Sequence, residues 1–127
     1  MAIRAEVERR KHERYRADGE VFLTFRPNFQ KIGRIRDISQ GGVAFEYTAD
    51  RESKDEYYVE VDIFSTGKDF HLARIPCRVI YDAQIDSYAS FSNMITRRCG
   101  LQFDSLNQDQ ISKLSRLCRS CTPLLAP

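Results

Sequence analysis

Twenty Lys and Arg against 18 Asp and Glu in 127 residues leave a net charge of only +2, too balanced for a protein that grips a long nucleic-acid polymer by charge alone. Hydrophobic residues make up 42% of the chain and charged residues 30%, the composition of one globular domain with a real core rather than a disordered chain. No apolar run is long enough to span a bilayer, and the N-terminus lacks the apolar stretch of a signal peptide. The expected location is therefore the cytoplasm, where Cys77, Cys99, Cys118 and Cys121 are expected to be reduced thiols.

Residues 1–16 are charged and free of Gly and Pro. Their weak apolar pattern predicts a flexible or marginally helical arm, with residues 17–127 forming the folded domain. The arm concentrates the basic residues: Arg4, Arg9, Arg10, Lys11, Arg14 and Arg16. Such local concentration in a nearly neutral chain suits a small anionic ligand. Alone, the segment reads as a solvated basic tail; what lies downstream gives it a role.

Asp18-Gly19 signals a turn. Glu20–Arg26 then alternates, with Val21, Leu23 and Phe25 on one side, and reads as a strand ended by Pro27-Asn28. Phe29–Ile38 reads as a second strand, with Ile32 and Ile35 apolar and Gly33 marking a bulge. It runs into a turn over Asp37–Gly42, and Val43–Tyr47 is a third strand. Thr48–Glu56 reads as a charged loop. Tyr57–Phe64 alternates through Tyr57, Val59, Val61 and Ile63. Ser65–Asp69 is a hairpin loop. Phe70–Tyr81 alternates through Ile75, Cys77, Val79 and Tyr81, with Pro76 pointing to an edge or a bulge. Asp82–Ile95 reads as a longer loop over the sheet, and Thr96–Phe103 as a closing strand with Gly100 inside it. In the last segment Asn107 and Gln110 resemble a capping box. Ile111, Leu114, Leu117, Cys118 and Cys121 share one helical face, and Pro123 ends the helix. Six or seven short strands followed by one amphipathic helix predict a mainly β fold, a small antiparallel barrel covered by a C-terminal α-helix.

Two constellations carry chemistry. Arg10 and Arg14 form an Arg-x-x-x-Arg pair, and Asp37, Ser39 and Gly42 form Asp-x-Ser-x-x-Gly. A guanidinium is always charged, and its planar fork of donors matches a phosphate or the N7/O6 edge of guanine. The other guanine edge carries N–H donors, which a carboxylate or hydroxyl accepts. Gly allows close backbone approach and unusual dihedrals. The set is a clamp for a guanine nucleotide bearing phosphates, and it is not a hydrolytic site.

In this order, with a strand-like segment between them, the two motifs resemble the signatures of the PilZ domain family, which binds the bacterial second messenger cyclic di-GMP. Gly100-Leu101-Gln102-Phe103 is similar to a late strand of that family, and Arg78-Val79-Ile80-Tyr81 to the strand before it. The likeness covers roughly residues 8 to 120; the 82–95 stretch and the arm before Glu8 depart from it. The resemblance implies a non-enzymatic receptor. In it Arg10 and Arg14 bind phosphates and guanine edges, Arg9 adds a third contact, Asp37 and Ser39 hydrogen-bond guanine, and Gly42 keeps the turn's shape. The ligand is cyclic di-GMP and no other cofactor is implied. On this reading the ligand neutralises the arginine arm and pins it across the barrel rim, presenting a new surface. The output then passes to an unidentified protein partner or through a homodimer. The alternative is a nucleotide-independent adaptor of the same fold, which usually lacks the motif residues present here.

The remaining constellations are bland. Cys118-x-x-Cys121 is half a zinc site with no second pair at the right spacing, and its place on the apolar helix face favours packing. His12 has no nucleophile to serve as base. No P-loop or dinucleotide fingerprint is present.

Overall fold

The computed structural model describes residues 12–17, 20–28, 31–50, 57–67, 69–85 and 94–124. They form eight strands and one helix: β1 (Arg14–Arg16), β2 (Val21–Arg26), β3 (Ile32–Ser39), β4 (Gly42–Asp50), β5 (Tyr58–Ser65), β6 (Phe70–Gln84), β7 (Met94–Phe103), α1 (Gln108–Arg119) and β8 (Thr122–Pro123). Every pairing is antiparallel. Strands β2-β5-β6-β7-β4-β3 run side by side, and β3 returns to β2, which closes a six-stranded barrel. Closure removes the free edges that an open sheet would leave.

β3 is the strand that the site needs. Its first half pairs with β2 (Phe22 opposite Arg34, Thr24 opposite Ile32), and its second half pairs with β1 (Arg14 opposite Ser39, Arg16 opposite Asp37). β1 and β2 thus lie end to end along one edge of β3. β8 pairs with the other side of β1. The last three residues of the expected arm are therefore strand; its residues 1–11, Arg9 and Arg10 among them, lie outside the described residues.

The alternation seen in the sequence builds the interior. Leu23, Ile35, Ile38, Phe45, Val61, Ile63, Ile75 and Cys99 are fully enclosed, each removing a large apolar surface from water. Helix α1 starts at a complete capping box: Asn107 Oδ1 accepts the Gln110 N–H, and Gln110 Oε1 accepts the Asn107 N–H. Leu114, Leu117 and Cys118 enter the core, Cys121 packs against it, and Ile111 stays partly exposed. No helix among the described residues is long and apolar enough to cross a membrane.

Several local expectations change. The irregularity in β3 falls between Ile35 and Asp37, at Arg36 and not at Gly33. Gly33 is needed for close approach, since a Cβ there would collide with the Glu46 carbonyl. β4 runs on to Asp50, and β6 continues to Gln84 before β7 begins at Met94, so both expected loops shrink; residues 51–56 and 86–93 lie outside the described set. Pro76 sits inside the sheet, but β7 pairs with β6 only from Cys77 onward, so Pro76 faces a local edge where no ladder N–H is required. β8 was not foreseen: a proline after a helix reads as a stop, and nothing in its own sequence announces the pairing partner.

Candidate functional site

Residues directly opposite each other in an antiparallel pair project to the same face. Tyr15 packs against the core and its partner Ile38 is fully buried, so β1 turns Arg14 and Arg16 outward together with Ser39 and Asp37. Two motifs more than twenty residues apart in sequence thus share one outer face. Arg14, Asp37, Ser39 and Gly42 are brought together there.

The turn that follows is held from several sides. Ser39 Oγ accepts the N–H groups of Gly41 (3.1 Å) and Gly42 (3.2 Å), a serine turn that fixes the backbone. Its own proton is directed at the Gly42 carbonyl at 3.4 Å, a weak contact that a ligand acceptor can replace. The Gly41 carbonyl accepts the Phe103 N–H at 2.9 Å, and Gln40 Nε2 donates to Ser115 Oγ of α1 at 2.7 Å. The turn is consequently anchored to both β7 and the helix. None of the described glycines has a positive φ. Gly42 serves close packing instead of an unusual dihedral, because a Cβ there would meet the Leu101 carbonyl. At Gly41 a Cβ would meet the His12 ring, so the chain before β1 passes directly over the turn.

Across β4 and β7 the outer face is nearly bare. The row Arg16, Asp37, Ala44, Gly100, Tyr81 runs laterally through the register, with small residues at its centre. Tyr81 closes it. The alternation of β6 placed Tyr81 inward with Ile75, Cys77 and Val79, but an irregularity between Val79 and Tyr81 turns it out, and it is 44% exposed. Its ring lies over Gly100, where a Cβ would collide with it. Partial burial and then the charge of Asp37 push its phenol up, while Arg98 and Arg14 pull the other way. Tyr81 is thus within electrostatic reach of the motif residues. The glycine opposite it was the signal that sequence reading passed over.

The neighbouring row of the same face is basic. Arg16, Arg34, Arg36 and Arg98 line an open pocket of about 400 Å³ together with Asp37 and Leu124. Glu46 reaches Arg36 at 3.1 Å and Arg98 at 2.8 Å. Elsewhere the charges are matched internally. Asp62 is buried, which by itself would raise its carboxyl. Two hydrogen bonds from Arg26 (2.6 and 2.8 Å), the Arg74 N–H (2.9 Å) and His71 (3.0 Å) outweigh that and hold it well below the usual range. Asp82 accepts from Tyr47 (2.6 Å), Arg97 (2.8 Å) and Lys31 (3.4 Å), and it is likewise held low against the effect of burial. Lys31 is buried between the rings of Phe25 and Tyr47. These carboxylates are committed to the fold. No metal-binding group of three or more His, Cys, Asp or Glu occurs among the described residues. The chemistry of the outer face suits an anion and a planar base with edge donors; among the described residues it assembles no nucleophile with a base.

The PilZ domain family model matches residues 8–120, and the chain belongs to that family. Among solved structures, it is similar to the PilZ domain with c-di-GMP of YcgR from Escherichia coli, with 16% identity over 89% of this chain and 91% of that one and a TM-score of 0.65. At that identity the likeness concerns the fold. No curated protein matches the chain significantly.

Proposed function

We propose that the protein is a cyclic di-GMP receptor without enzymatic activity. The observation that carries the reading is the register Arg14 opposite Ser39 and Arg16 opposite Asp37, which joins the two motifs on one outer face. Membership of the PilZ family supports it, as does the nucleotide in the similar YcgR domain. Arg10 and Arg14 take the phosphates and the guanine N7/O6 edge, with Arg9 as a third contact. Asp37 accepts from the opposite guanine edge, Ser39 contributes its weakly engaged hydroxyl, and Gly42 keeps the turn's shape by packing close to the Leu101 carbonyl. Charge-assisted hydrogen bonds contribute about 1.5–3 kcal/mol each. Several of them, less the ordering of the arm, give roughly 8 kcal/mol, a micromolar affinity.

Binding neutralises the segment carrying Arg9 and Arg10 and pins it across the barrel rim. The face presented to a protein partner, or to a second copy of the chain, then differs between free and bound forms. Calorimetric titration with cyclic di-GMP, beside Arg10→Ala and with GTP as control, tests the reading. Saturable binding that the variant abolishes is expected. A folded wild-type protein that ignores the nucleotide would leave only the adaptor role for this fold.

A further inference from the structure

Three arginines of the basic row have no place in the two motifs: Arg34 and Arg36 on β3 and Arg98 on β7. Their row, Arg34–Glu46–Arg98, runs parallel to the motif row. Ala44 of the motif row and Glu46 of the basic row are two residues apart on β4, roughly 7 Å at a strand's rise of about 3.3 Å per residue, so the basic row adjoins the motif row and shares its pocket with Arg16 and Asp37.

Among the described residues, Arg34, Arg36 and Arg98 bring three guanidiniums to the pocket, and the acid paired with them is Glu46, which Arg36 and Arg98 share. Arg34 has no ion-pair partner among the described residues. Arg98 gives Nη2 to Glu46, but its Nε–H is buried and has no hydrogen-bond partner among them. A desolvated donor left unmatched is unfavourable, and a charged one more so. The bulge at Arg36 adds to the effect, since it sets an extra residue beside Asp37 on the strand that also carries Arg34. A tetrahedral oxyanion fits this set. It can share Arg36 and Arg98 with the Glu46 carboxylate and draw Arg34 inward, and it reaches the enclosed Arg98 Nε only when that side chain turns toward it. A phosphodiester, with one negative charge, goes part of the way toward the excess, and free phosphate or a phosphomonoester, with about −1.5 to −2, goes further.

We infer that Arg34, Arg36 and Arg98 form a second phosphate-binding subsite, outside the motif residues. The phosphate belongs either to a nucleotide anchored at the motif or to a separate phosphate-bearing molecule. The subsite stands on its own residues and does not require the motif site to bind anything.

The test follows the Arg98 Nε–H resonance by NMR. Inorganic phosphate is titrated into the wild type, Arg14→Ala, Arg98→Lys and the Arg34→Ala/Arg36→Ala pair, with sodium chloride at matched ionic strength. Cyclic di-GMP is titrated in a second series. Phosphate is expected to shift the resonance saturably in the wild type and in Arg14→Ala, where chloride does not. The double variant should weaken this response about tenfold or more. Arg98→Lys, which keeps the charge but removes the Nε donor, should weaken phosphate's effect on neighbouring backbone amides. If cyclic di-GMP moves the Arg98 signal in the wild type but not in Arg14→Ala, the phosphate is that of the motif-bound nucleotide. If only free phosphate moves it, the source is separate. Equal responses to phosphate and chloride, or no response to either phosphate or cyclic di-GMP, would overturn the subsite, whatever the nucleotide does elsewhere on the protein.

Discussion

Asp62 and the outer arginine face use the same chemistry for opposite ends. Around Asp62 one carboxylate collects four donors from β2 and β6, with 5% of its side chain exposed. On the outer face Arg36 and Arg98 share one acid, Glu46, and the Nε of Arg98 has no hydrogen-bond partner among the described residues. The Asp62 node also fixes backbone. Arg74, whose N–H it accepts, has a φ of 57°, a left-handed conformation unusual for a residue with a side chain. Gln110 of α1 donates to the carbonyls of Ala73 and Arg74 from the other side. Where every partner is internal, the charges hold strands and helix together. On the outer face, the second phosphate subsite proposed above would supply the missing partner from outside.

The contrast breaks first at Asp62. Asp62→Ala strands Arg26 and the Arg74 N–H and should lower unfolding free energy by about 3–5 kcal/mol in urea melts. Nucleotide affinity measured on the folded fraction should not change. An equal loss in both would show that the two regions are not separable. Arg14→Ala should do the reverse, weakening cyclic di-GMP by about 1.5–3 kcal/mol, roughly 10–150-fold, with an unaltered melt. Asn107→Ala removes half the capping box and should cost about 1 kcal/mol of stability; any affinity change would mean that α1, tied to the turn through Gln40 and Ser115, also tunes the site.

Acid sharpens the same comparison. Asp62 and Asp82 are held below the ordinary carboxyl range. Their contribution to stability is complete above the unfolded value of about 3.9 and is lost as pH falls below it. Melting temperature should therefore drop steeply below about pH 4. The site's guanidiniums stay charged throughout, so acid below about pH 4 should separate loss of the fold from loss of the site's own positive charge.

The barrel was readable because alternation in strands and the 3.6 period of the helix report burial directly. Val21, Leu23 and Phe25, and again Leu114, Leu117 and Cys118, are inside as their spacing predicts. The serine turn from Ser39 to Gly42 was legible because turn chemistry is local; Asp37, expected in the same turn, belongs instead to β3, where it pairs with Arg16 and Ala44. Tyr81 and Arg36 were not, for one reason: a bulge shifts the side-chain period by one residue, and the residue types of the bulged strand itself do not announce it. Arg98 was hidden differently. It joins the site only through the pairing of β7 with β4, a long-range register that no short window contains.

The pairing of β8 with β1 puts Thr122 opposite Arg16, and the Leu124 N–H donates to the Arg14 carbonyl at 2.9 Å. The tail is therefore a natural place for a reporter. Burial raises the thiols of Cys77 to about 12 and Cys118 to about 11, and Cys99 is enclosed, so these three should resist maleimide at neutral pH. With Cys121→Ser, a fluorophore on Thr122→Cys would sit one strand from the motif, and its brightness would read ligand occupancy from the opposite end of the chain.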